Sequence, residues 1–145
     1  DIRRACAETR AADIAIRDAF IYGFPDETYA QNRRTLALAL ELPLDSCQFR
    51  PYCPEPGTVL HARARVTGTF ISEYMRHGIH DVVYVPAGYS SAQQLHDLVQ
   101  RSYRAFYLRP SYMLQQLAGV RSGRDLLRLT DGFRFFTGLL RAGRA

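Results

Sequence analysis

Residues 19–28 read Ala-Phe-Ile-Tyr-Gly-Phe-Pro-Asp-Glu-Thr, and this stretch constrains the chain more than any other. An apolar run stops at Gly23, turns through Phe24-Pro25 and meets acidic residues at the start of a helix. That is a strand feeding a turn at the mouth of an α/β unit, where such folds keep their ligand sites. Thr28-x-x-Gln31 fits a capping box, in which the hydroxyl caps the helix and the amide reaches back. The helix then carries Leu36, Ala39 and Leu40 towards a core and Arg33 and Arg34 towards solvent. It stops at Leu42, because the following Pro43 disfavours helical geometry there. A second strand follows over Ser46–Tyr52, then the stiff loop Cys53-Pro54-Glu55-Pro56-Gly57 and a helix capped by Thr58. Strand, helix, strand, helix predicts a parallel βαβα unit with right-handed crossovers. Ahead of it, 2–12 reads as a helix with Ile2, Ala5 and Cys6 on one side, and Ile14 and Ile16 open the first strand.

Past residue 67 the pattern loosens. Thr69–Met75 is amphipathic without a clear period, and Asp81–Pro86 is a short extended piece ended by proline. The tail is clearer. Ser91-x-x-Gln94 is a second capping box, and Leu95, Leu98, Val99, Ser102 and Phe106 recur at helical spacing. Arg109-Pro110 breaks that helix, Ser111 caps a short one ending near Gly119, and a last one carries Leu126, Leu129, Phe133, Phe136 and Leu140 on one face. The organisation expected is therefore βα units over 1–67, a linker or edge segment over 68–89, and a helical extension over 90–145. No repeat beyond the doubled βα unit is visible.

At 145 residues the chain has room for one domain with a core. No apolar run approaches the roughly 20 residues of a membrane span. The chain opens at Asp1 without Met or signal-peptide pattern, so a processed, cropped or incomplete chain in the cytoplasm is expected. All 19 basic residues are arginine, most simply a matter of genome composition. Residues 99–145 carry nine arginines against only Asp125 and Asp131, and a solvated helical face accounts for such a bias most cheaply. Cys6, Cys47 and Cys53 are odd in number and wrongly spaced for a cluster-binding triad, so buried thiols are the expectation.

Two parallel strands make an awkward independent domain, because such a sheet needs both faces covered and leaves two open edges. A complete (β/α)8 barrel takes about 250 residues. The chain thus reads as α/β, the last βα units of a partial (β/α) barrel followed by a C-terminal helical extension. The motifs carry the match further. Gly23-Phe24-Pro25-Asp26-Glu27-Thr28, then Cys53-Pro54-Glu55-Pro56-Gly57-Thr58, resembles the C-terminal half of a radical S-adenosylmethionine core, whose familiar forms are Gly-Phe-Pro-Gly-Glu-Thr and Pro-x-Pro-Gly-Thr. Phe106-Tyr107-Leu108-Arg109-Pro110 resembles the Phe-Tyr-x-Arg-Pro segment of cobalamin-binding members, such as anaerobic Mg-protoporphyrin ester cyclases, hopanoid-associated enzymes and several methyltransferases. The resemblance covers roughly residues 1–120. Asp26 replaces the second glycine of the family form, Ala19 stands where a glycine often opens the strand, and the cysteine triad is absent.

The resemblance implies S-adenosylmethionine and a four-iron four-sulfur cluster in a parent protein, with cobalamin in some members. The cluster ligands and any cobalamin-binding half would lie in a missing N-terminal half, the expected partner of this chain beside a small-molecule substrate. The isolated chain is then expected to be inactive. Cofactor-pocket residues carried over are Gly23, Phe24, Pro25, Gln48, Arg50, Tyr52 and Pro54; none is catalytic and none binds metal. Some also have a plainer reading: turn geometry alone for Gly23–Pro25, and pairing with a barrel acid elsewhere for Arg50. For Glu27, bonding backbone at the helix start is favoured over touching ligand. His77 and His80 are three apart but interrupted by Gly78, which favours a solvated pair over a metal site; His96 is expected at the surface. Arg101, Arg104 and Arg109 with Tyr103, Tyr107 and Tyr112 could be a nucleic-acid surface, but their spacing favours aromatics packed inward and arginines in water. The rival reading is a stand-alone α/β-helical module whose basic tail grips RNA or an acidic protein.

Overall fold

A computed structural model describes residues 1–72, 78 and 80–118 of the chain. The last helix expected from the sequence, and His77, lie outside them. The chain divides into two compact units, Asp1–Tyr103 and Arg104–Ala145.

In the first unit, α1 (Ile2–Ala11) is capped by the Asp1 carboxylate, which accepts from Arg3 N at 3.1 Å. β1 covers Arg17–Tyr22 and β2 covers Ser46–Pro51, joined by α2 (Tyr29–Glu41). The strands pair in parallel, with Phe20 opposite Phe49 and Ile21 opposite Arg50. β1 begins three residues later than its apolar pattern suggested. Asp13 turns the chain at φ 57°, Ile14 stays exposed, and Asp45 holds the approach by accepting from Ile16 N at 2.7 Å. Both halves of the Thr28–Gln31 capping box form, and Leu42, at ψ 143°, ends α2 ahead of Pro43. The inward side of α2 differs from the expectation. Asn32 and Ala39 are its buried residues, Leu36 is half-buried, and Leu40 is 36% exposed.

α3 (Val59–Thr67) is capped by Thr58 as expected, His61 N donating to its hydroxyl at 3.1 Å. β3 (Gly68–Phe70) and β4 (Tyr84–Pro86) then form an antiparallel pair, so the loosely patterned segment holds a small sheet. A Cβ on Gly68 would lie 2.4 Å from Val85 O, which explains glycine at that crossing. Among the described residues the strands make two two-stranded sheets and no closed barrel.

α4 (Ala92–Tyr107) follows Ser91, whose hydroxyl accepts from Gln94 N at 3.1 Å. The Gln94 amide oxygen accepts from Ser90 N, one residue further back than a strict box. Leu95, Leu98, Val99 and Ser102 are buried along it. They face the same core as Phe20, Tyr22, Cys47 and Phe49. Tyr22 and Phe20 stack on Phe49 at 5.9 and 5.8 Å, and the Tyr103 ring meets Phe49 edge-on at 5.4 Å. The Ser102 hydroxyl donates to Leu98 O, which makes Tyr22 the donor in their 3.0 Å bond. A second cluster gathers Tyr52, Ala64, Val83 and Tyr84, with Ile21, Phe24, Cys53 and Phe70 packed on it.

The described part of the second unit is the last turn of α4 and α5 (Pro110–Ala118). α5 starts on Pro110 itself, not after a Ser111 cap, because proline's fixed φ suits the first helical position. Phe106, Tyr107 and Tyr112 form an aromatic knot with centroids 5.0–5.5 Å apart, and the Arg109 guanidinium lies 4.2 Å over the Phe106 ring. Arg101 and Arg104 are exposed on α4; Arg109 is half-buried on a ring, where cation–π attraction holds it.

Candidate functional site

The turn between β1 and α2 is held by a buried polar network. Gly23 sits at φ 84° and Asp26 at φ 68°, both left-handed. Aspartate is among the few non-glycine residues that adopt this conformation readily, which suits Asp26 to its place. The Glu27 carboxylate accepts from Gly23 N at 3.1 Å, Phe24 N at 2.9 Å and Asn32 Nδ2 at 2.9 Å. The Asn32 carbonyl oxygen accepts from Gly23 N at 2.9 Å and Tyr89 OH at 2.5 Å. Burial and the nearby Glu27 charge push the Tyr89 phenol well above its ordinary value. Thr28 bridges Gly88 in parallel, and a Cβ on Gly88 would stand 2.4 Å from Glu27 O. Outside, Asp26 pairs with Arg63 of α3.

Glu27 thus bonds backbone, the plainer of its two roles. Asn32, Gly88 and Tyr89 belong to the same construction. The sequence hinted only at Asn32, a polar residue one turn inside a helix; Gly88 and Tyr89 are about sixty residues away and carry no pattern linking them to the turn.

The seven pocket residues fall into distinct settings. Gly23 spends its amide on Glu27 and Asn32, so that donor is committed within the fold. Phe24, half-buried, packs on the buried Tyr52 ring at 4.5 Å between centroids, tilted by 31°. Pro25 and Pro54 are buried, shaping their turns. Gln48 is exposed and Arg50 half-buried, on the sheet face opposite Cys47 and Phe49. Arg50 has no carboxylate partner among the described residues. The Tyr52 amide continues the ladder to Tyr22 O at 2.8 Å, and burial, then Cys53, raises its phenol pKa. Burial and Glu55 likewise raise the Cys53 thiol.

Phe24 and Arg50, both half-buried, could meet an S-adenosylmethionine molecule with an aromatic face for adenine and a guanidinium for its carboxylate. The residues present do not fit an iron–sulfur cluster. Cys6 and Cys47 are buried and Cys53 half-buried, and among the described residues no three of His, Cys, Asp or Glu gather as metal ligands. No described helix is long and apolar enough to cross a membrane.

Comparison with known proteins finds similarity over parts of the chain. Ninety-nine residues, 68% of the chain, are 29% identical to a Pyrococcus horikoshii protein named as an uncharacterized methyltransferase. A 58-residue stretch, 39% of the chain, is 47% identical to the ribosomal protein uS12 methylthiotransferase RimO of a Roseiflexus species and 45% identical to that of Roseiflexus castenholzii. The similarity is partial, and it is to methyltransferase-type enzymes. The matched parts span 22% of the first relative and 12% of each of the others. No family model and no solved structure matches.

Proposed function

We propose that this chain supplies the later barrel strands of a radical S-adenosylmethionine enzyme that transfers a methyl or methylthio group, with cobalamin a further cofactor of the parent as in some of the members it resembles. The observation that carries the reading is Asp26 at φ 68°, a left-handed residue standing where the family's turn has glycine, inside a turn closed by its Glu27. The rest of the turn is consistent with one wall of a cofactor pocket. Phe24, backed by the Tyr52 ring, would face the adenine, and Arg50 would hold the methionine or substrate carboxylate. In a parent that supplied the cluster ligands, S-adenosylmethionine would provide the methyl group and a four-iron cluster the one-electron chemistry.

The sheet supports a missing partner on a particular side. Ile16 and Tyr22 direct their carbonyls to β2, so Arg17, Ala19 and Ile21 direct their backbone groups outward. Apart from the Ala19 amide, bonded by Asp18, that edge has no backbone partner among the described residues. The outer edge of β2 is sealed instead: Phe49 N donates to Tyr103 OH at 3.2 Å, and His80 donates to the Phe49 carbonyl. Preceding barrel strands would therefore add at β1, where an open parallel edge calls for pairing.

The test is anaerobic reconstitution with iron and sulfide of the 145-residue chain and of its longer reading frame. The longer protein should show four-iron absorbance and release 5′-deoxyadenosine, and the isolated chain should do neither. In the longer protein, Arg50→Met should weaken S-adenosylmethionine binding by about tenfold, the loss of one charged hydrogen bond. Deoxyadenosine from the isolated chain, or a longer frame without a cysteine triad, would overturn the proposal.

A further inference from the structure

The two strands of the first unit alternate between buried and open. Phe20 and Tyr22 on β1 and Cys47, Phe49 and Pro51 on β2 are buried, whereas Arg17, Ala19 and Gln48 are exposed and Ile21, Ser46 and Arg50 half-buried. A parallel sheet normally lies between two covered faces, and its strands then read as continuous apolar runs. Here one face is covered, with Phe49 and Tyr22 meeting Tyr103 and Ser102 of α4, and the other is open. The register sets Arg17 beside Ser46, Ala19 beside Gln48 and Ile21 beside Arg50 on the open face.

The composition of that face decides what can cover it. Ile21 is its only large apolar side chain, too little to seat a helix or a second sheet. Nor does it match a barrel interior filled by branched side chains. Any packed layer would also bury two guanidiniums, and neither Arg17 nor Arg50 has a carboxylate partner among the described residues. The only acid of the two strands, Asp18, belongs to the other face by register and bonds Ala19 N. What fits such a face is water and a ligand that brings negative charge. The spacing narrows the ligand. Arg50 lies four residues further along the strands than Arg17, about 13 Å at about 3.3 Å per residue. Ala19, Gln48 and Ile21 occupy the ground between them. Phosphate sites are built from backbone N–H groups at helix starts and nests, whereas strand amides lie in the plane of the sheet and leave only side chains to face a ligand. A guanidinium fork takes a planar carboxylate through two parallel bonds.

We propose that the open face of β1 and β2 binds an extended small-molecule carboxylate, anionic at both ends, with one head at Arg50 and the other at Arg17. That this molecule is the substrate rests on the reading of the chain as barrel strands, in which the open face lines the interior below the mouth. The five N–H donors of Arg50 suffice for the near head and for an S-adenosylmethionine carboxylate together. Arg17 serves the far head alone.

The experiment titrates the 145-residue chain with sebacate, acetate and tripolyphosphate at constant ionic strength, read by nitrogen NMR of the arginine side chains. Sebacate should saturate at one molecule per chain, move the Arg17 and Arg50 Nε signals together, and bind about tenfold more tightly than acetate. Arg17→Gln and Arg50→Gln should each weaken it by about tenfold, the loss of one charged hydrogen bond, and Arg33→Gln on α2 should not. Should Arg50→Gln disturb the fold, the exposed Arg17 decides, with an unchanged circular dichroism spectrum and urea midpoint confirming that its variant is folded. Sebacate no tighter than acetate, shifts spread equally over Arg33 and Arg34, or equal binding by the parent and Arg17→Gln would each overturn the site. Tripolyphosphate binding as tightly as sebacate would overturn the choice of carboxylate. The deoxyadenosine test is separate: its failure beside intact sebacate binding removes the barrel reading and with it the substrate role, whereas loss of sebacate binding alone removes only the site.

Discussion

The two βα turns share a plan but are fixed by different means. The first, Gly23–Thr28, is closed from inside: a buried asparagine, a carboxylate and a distant tyrosine take up its backbone donors. The second, Tyr52–Thr58, is closed locally. Thr58 donates its amide and hydroxyl to Glu55 O at 3.3 and 2.8 Å, and Pro54 and Pro56 limit the unfolded chain. Gly57 at φ 82° has nothing within 4 Å, whereas Gly88 is pressed against the first turn. A turn held by proline needs little from the rest of the fold. A turn held by Asn32 and Tyr89 exists only once α2, the Gly88 loop and the turn have met.

The contrast predicts a hierarchy. Asn32→Leu should cost the most, about 4 kcal/mol by urea denaturation, because it leaves the Tyr89 hydroxyl without its acceptor and takes one of their partners from the Gly23 amide and from Glu27. A loss under about 1 kcal/mol would mean the network is dispensable and the two turns are alike. Gly88→Ala should cost about 2 kcal/mol, from backbone that must shift, against about 1 kcal/mol for Gly57→Ala, where only the left-handed conformation is penalised. Equal losses would break the comparison.

Alkaline pH probes the same network. The Tyr22 and Tyr89 phenols are held well above the ordinary value of 10.0, chiefly by burial. The native state therefore keeps its phenolic protons where the unfolded chain releases them. Their stabilisation is complete below pH 10 and declines as pH rises above it, by up to about 1.4 kcal/mol per unit for each tyrosine. Tyr89→Phe should flatten the decline measured by chemical denaturation between pH 10 and 11.5; an unchanged slope would assign it elsewhere. Smallest of all, Asp26→Gly should change stability by under about 0.5 kcal/mol, because glycine adopts the same φ and the partly exposed pair with Arg63 contributes little. Asp26→Ala should lose about 1 kcal/mol more than Asp26→Gly.

Local signals sufficed for much of this architecture. Thr28-x-x-Gln31, Leu42-Pro43 and Thr58 fix helix ends through bonds within four residues, and Leu95, Leu98, Val99 and Ser102 mark a buried face by spacing alone. The candidate wall was legible as types and order: Phe24, Tyr52 and Arg50 fall at strand ends in the sequence and at strand ends in the fold. Where an outcome depended on distant groups, the pattern was silent or wrong. On α2 it is Asn32 that turns inward, its carbonyl accepting from Gly23 N, while Leu40 is exposed. Tyr103 and His80 close the β2 edge across a separation that no periodicity encodes. The Gly23–Thr28 stretch shows both halves of this division. Sequence alone determined that it is a strand, a turn and a capped helix, since those follow from φ preferences and short hydrogen bonds. Only the tertiary structure decided that its glycine amide faces inward to Asn32 and that the outer edge of β1 has no backbone strand partner among the described residues, because both depend on which elements pack beside it.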